Sequence, residues 1–102
     1  MLNLQSVNHI AIIASDYNRS LSFYTQILGM EVISEVWRPE RESMMCRLAL
    51  SGEYLIELFT FPGSPPRPSY PESCGLRHLA FSVPNINDAV TVLERMQIPH
   101  EP

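Results

Sequence analysis

No apolar run in this chain approaches the roughly 18 residues a membrane-spanning helix needs. The start, MLNLQSVNH, lacks the basic segment and long apolar stretch of a secretory signal. The two cysteines, Cys46 and Cys74, lie far apart with no CxxC spacing. Free thiols in a reducing cytoplasm are therefore expected rather than a disulfide framework. Basic charge is scarce: seven Lys and Arg against eleven Asp and Glu leave a net charge of −4. That balance argues against nucleic acid as a partner, which would call for a basic footprint. There is no Gly-rich phosphate loop and no nucleophile elbow. These absences argue against a membrane span and against nucleic acid as the partner.

At 102 residues with 45% apolar and 18% charged side chains, the chain can form one small globular domain, burying roughly two-thirds of its unfolded surface. VNHIAII (7–13) is β-branched and apolar and predicts a strand. Ser15 or Asp16 can cap a helix over Tyr17–Leu28, where Tyr17, Leu21, Tyr24, Ile27 and Leu28 recur at steps of three and four and form a buried stripe. Tyr17, Phe23 and Tyr24 are expected as core aromatics, and Gly29 follows where a left-handed residue closes a helix. MEVISEVW (30–37) alternates and Pro39 ends it, while MMCRLALS (44–51) and EYLIELFTF (53–61) flank Ser51-Gly52 as a hairpin. Glu40, Arg41 and Glu42 read as a solvated loop, and Trp37, Arg38, Arg41 and Arg47 as candidates for a pocket mouth meeting an anionic substrate.

PGSPPRPSYPESCG (62–75), with five prolines and two glycines, is a stiff linker whose amides contribute little to a ladder. After it the pattern restarts: a strand over 76–83, an Asn85 or Asn87 cap, and a helix over 86–96 whose stripe is Ile86, Ala89, Val90, Leu93 and Met96. The restart is an internal repeat. His9 and His78 differ by 69 positions, as do Ile10 and Leu79, Ala11 and Ala80, and Ile12 and Phe81, and Tyr24 falls opposite Leu93. The division is 1–61, a first module; 62–75, the linker; and 76–102, the strand and helix of a second module. A second module of that extent leaves a sheet edge that invites pairing, so a homodimer, or a longer chain of which this is a fragment, is expected.

Three polar residues stand where the strand pattern wants apolar ones: His9, Glu57 and His78. Alternation places His9 with Val7, Ala11 and Ile13; Glu57 with Leu55 and Phe59; and His78 with Leu76, Ala80 and Ser82. Each face is expected to be the buried one. A carboxylate there is costly unless paired, hydrogen-bonded or bound to metal. Two imidazoles and a carboxylate make a divalent-metal set. The bland reading of Glu57 is an ion pair with Arg47 on the neighbouring strand.

HIAIIASDYNRSLSFYTQILGMEV (9–32), together with YLIELF (54–59) and GLRHLAFSV (75–83), resembles the vicinal oxygen chelate superfamily, and most of all its small lactoylglutathione lyase-like members. The resemblance implies an α+β fold of paired βαβββ modules, here with the second truncated after its first strand and helix. It implies His9, Glu57 and His78 as metal ligands, for nickel, zinc, cobalt or manganese, with Glu57 also a candidate catalytic base. The family's fourth ligand position, a Glu on the last strand of the second module, has no counterpart in these residues. The implied activity is a lyase or isomerase acting through an enediolate on a small thiol adduct such as the methylglyoxal–glutathione hemithioacetal. Two alternatives are a non-catalytic binder of the antibiotic-resistance kind and an iron-dependent dioxygenase.

Overall fold

Caps and turns set the element boundaries in the computed structural model, which describes residues 1–101. After β1, Ile10–Ile13, Asp16 caps α1, Tyr17–Ser22, its Oδ1 accepting from the Arg19 amide at 3.1 Å. This satisfies one of the donors a helix start leaves unpaired. The single α-helix expected over 17–28 widens instead into a π-helical turn at Phe23–Ile27, where the Leu28 amide donates to the Phe23 carbonyl at 3.0 Å. Within the same turn the Thr25 hydroxyl donates to the Leu21 carbonyl at 2.7 Å, a back-bond of the kind that bends helices. Gly29 closes the helix at φ +76°.

β2, Glu31–Arg38, β3, Ser43–Leu50, and β4, Glu53–Phe59, follow. Ser51 and Gly52 both take positive φ, as a tight two-residue hairpin loop requires. The four strands form one sheet in the order β1-β4-β3-β2, with β1 parallel to β4 and the other pairs antiparallel. The architecture is α+β: this mixed sheet plus α1 and a second helix, α2, Ile86–Arg95.

The chain divides into two compact units, Met1–Arg67 and the part from Pro68 onward, the boundary falling inside the proline-rich segment. Pro102, the last residue of the predicted second module, lies outside the described residues. In the second unit Asn85 caps α2 by accepting from the Asp88 amide at 3.1 Å. The strand predicted over 76–83 is not a ladder strand: no strand is assigned there. A helix closes its hydrogen bonds within itself, whereas a strand needs a neighbour. Segment 76–83 has the side chains of a strand without a ladder partner.

The sheet's two faces differ in cover. Ile56, Leu58, Cys46 and Leu48 are fully buried, and Ile10 and Ile12 pair with Ile56 and Leu58 on that face. Its cover is α1: the Tyr17 hydroxyl donates to Glu35 of β2 and interacts with the Cys46 thiol of β3. Phe23, expected in the core, is 39% exposed at the π-helical turn. The opposite face is the more open one and bears Ala11, Ile13, Arg47 and Glu57, with Ala11 paired to Glu57 and Arg47 to Glu57. The expectation that His9 and Glu57 lie on the buried face is therefore corrected. Alternation finds which residues share a face, but not which face the helix covers.

Candidate metal site

Glu57 stands at the middle of β4 with its side chain 14% exposed, and each carboxylate oxygen has a different neighbour. Oε2 accepts from the Tyr54 hydroxyl at 2.9 Å and from Arg47 Nε at 3.4 Å. Oε1 faces His9 Nε2 at 3.8 Å, too far for a hydrogen bond. The ion pair with Arg47 expected from the sequence is thus present, but it occupies only one oxygen.

His9 immediately precedes β1. Its Nδ1 lies 2.6 Å from Asn8 Oδ1. A carbonyl oxygen can only accept, so Nδ1 donates to Asn8 and Nε2 is the ring nitrogen that faces Glu57. The ring stacks on Tyr54, with centroids 5.2 Å apart and planes at 18°. Nε2 and Oε1 are both atoms that can bind a metal, and they face each other across the 3.8 Å gap. Bonds of about 2.1 Å to a shared divalent ion span such a gap, so the donor pair fits a metal. The Asn8 bond is the kind of outer contact that orients a ligating imidazole.

Of the three residues named from the sequence, the first unit brings two together. His78 belongs to the second unit and is exposed on the segment that forms no ladder. Among the described residues no cluster of three or more His, Cys, Asp or Glu side chains occurs. Cys46 is buried and Cys74 exposed, and both are free.

Tyr54 is the member that alternation counting missed. The register runs Ile56 opposite Leu48 and then Tyr54 opposite Ala49, so Leu55 is an extra residue, a β-bulge. Bulges re-aim the side chains that follow them. Here the slip turns Tyr54, rather than Leu55, to the face of Glu57 and Arg47, and the Arg47 guanidinium carbon lies 5.8 Å from the Tyr54 ring centre. No composition signal marks the bulge.

Burial, with the bond and charge of Glu57 behind it, pushes the Tyr54 phenol above its ordinary 10.0. Burial does the same to Tyr24, and burial plus the Glu35 bond does so strongly to Tyr17. Each phenol holds its proton more tightly folded than unfolded. That stabilisation is full below the unfolded value of 10.0 and is lost as pH rises through the folded values. Phenolate absorbance of the folded chain is expected to lag behind that of the chain in urea, with stability falling above pH 10.0. Coincident titration curves would contradict the Tyr54 and Tyr17 contacts.

Residues 6–101 match the family model of the Glyoxalase/Bleomycin resistance protein/Dioxygenase superfamily. The chain is 56% identical over 101 residues to the uncharacterized protein YaeR of Escherichia coli (strain K12), spanning 99% of this chain and 78% of that protein. The crystal structure of the glyoxalase family protein from Enterococcus faecalis aligns at a TM-score of 0.88 and 42% identity, over 96% of this chain and 77% of that one. The trypanothione-dependent glyoxalase I of Leishmania major aligns at a TM-score of 0.71 and 25% identity, over 92% of this chain and 68% of that one. With its sheet order, its helix-covered face and a family match over nearly its whole length, the chain belongs to the Glyoxalase/Bleomycin resistance protein/Dioxygenase superfamily.

Proposed function

We propose that the protein is a metal-dependent, glyoxalase-like isomerase or lyase whose reacting groups lie on the open sheet face. The observation that carries this reading is the 3.8 Å approach of His9 Nε2 to Glu57 Oε1, with Asn8 and Tyr54 holding the two side chains from behind. His9 and Glu57 would hold the ion, and His78, the repeat counterpart of His9, is the third ligand of the proposal. Nickel, zinc, cobalt or manganese suits such a nitrogen and oxygen set. The ion supplies Lewis-acid polarisation of two adjacent substrate oxygens.

The chain's own residues do the rest. Glu57 Oε2 is held by Tyr54 and Arg47, so Oε1 is the oxygen free to act. Released toward substrate, Oε1 takes the proton from the carbon beside the carbonyl and returns it to the neighbouring carbon. The hydroxyl proton of the first carbon passes to the former carbonyl oxygen, so both protons are accounted for and no redox partner is consumed. Stacking on Tyr54 holds the plane of the His9 ring. On this reading the hemithioacetal of methylglyoxal and glutathione becomes lactoylglutathione, the enzyme is cytoplasmic and the assembly a homodimer.

The test is formation of the thioester from methylglyoxal and glutathione by chain loaded in turn with nickel, cobalt, zinc and manganese. Turnover is expected with at least one metal, falling by roughly 100-fold or more in Glu57→Gln, the scale of a lost general base. Full metal occupancy without turnover of this or any other hemithioacetal would overturn the assignment.

A further inference from the structure

Arg38 ends β2 opposite Ser43, whose hydroxyl accepts from its Nη2 at 3.0 Å. The guanidinium carbon lies 4.9 Å from the Phe59 ring centre and 5.7 Å from that of Phe61, the two rings being stacked 5.8 Å apart. Arg47 and Arg77 each face a carboxylate. Arg38 has none among the described residues, and its Nε is buried without an acceptor. The cation is thus fixed by two rings and one hydroxyl, partly desolvated, and short of acceptors for its donors. Each condition favours capture of an anion: the rings hold the guanidinium by cation–π contact, the ordering cost is met before binding, and its planar fork matches a carboxylate. Phe59, under the guanidinium, is two residues beyond Glu57 on the same face of β4, roughly 7 Å along the strand.

We propose that Arg38 binds a carboxylate at the far end of the substrate, so that the protein selects short anionic substrates reaching from His9 and Glu57 over Phe59 to Arg38. The proposal rests on the reading of His9 and Glu57 as the reacting end. α-Hydroxyglutarate is a suitable probe, with vicinal oxygens at one end and a carboxylate at the other, and its distal amide removes only the second charge. The full chain loaded with zinc is expected to bind the acid at least about tenfold more tightly than the amide, the scale of a charge-assisted hydrogen bond. The acid should also shift the Arg38 side-chain Nε–H resonance, assigned by its loss in R38K. R38M should bind acid and amide alike with its zinc affinity unchanged, and R38K should retain part of the preference. Equal binding of the two probes by the native chain, no binding of the acid, or a preference that survives in R38M overturns the proposal. Failure of the His9–Glu57 reading shows separately, as zinc binding that is the same in H9A as in the native chain.

Discussion

Glu57→Gln is expected to weaken divalent-metal binding by on the order of 100-fold or more, because loss even of groups that only orient ligands costs about 10- to 100-fold. The change is nearly isosteric and leaves an amide oxygen in the site. It removes the charge that offsets an ion's, and its NH2 cannot accept from Tyr54 and Arg47. Folding should survive, since Glu57 lies on the open face and the fully buried apolar side chains lie on the other. Calorimetric titration with zinc checks this, alongside H9A, which should lose affinity to a similar degree. Affinity that is unchanged in both variants would mean that the pair is only a structural contact.

Leu48→Ala carries the largest expected loss of stability. Leu48 is fully buried, with Val32 and Ile56 as its register neighbours on the flanking strands. Truncation removes buried methyl groups and leaves a cavity, at a cost of about 3 kcal/mol, or roughly 15 °C in Tm for a domain of this size. Val32→Ala on the same cross-strand pair removes a side chain that is 45% exposed and should cost under about 1 kcal/mol. Thermal unfolding of the two variants reads the difference. Equal losses would place the packed face elsewhere.

Much of the first module was legible because its signals are local. Asp16 and Asn85 accept from backbone amides three residues on, Gly29 sits at positive φ, and Ser51-Gly52 makes the hairpin, each fixed by a residue or two of sequence. The pairing of Arg47 with Glu57 was also readable, since facing strands of a hairpin place known positions opposite each other. What could not be read depends on long-range arrangement. Whether alternating positions face the helix or open space is decided by where α1 lands, and α1 landed over Cys46 rather than over Glu57. The bulge at Leu55 reversed the phase of one strand end and brought in Tyr54. The strand signal at 76–83 was a signal about side chains, and a ladder requires a partner that local sequence does not specify. Tyr17 shows the same limit: its helical spacing marked it as core, but its hydroxyl bond to Glu35 depends on how α1 crosses β2.

The central claim is that His9 and Glu57 share one divalent ion. X-ray absorption at the zinc edge of the zinc-loaded chain tests it most directly. The account predicts an all nitrogen and oxygen shell at about 2.0–2.2 Å with imidazole scattering that falls in H9A. Sulfur in the shell at about 2.3 Å, drawn from Cys74 or Cys46, or an imidazole signal unchanged in H9A, would contradict it.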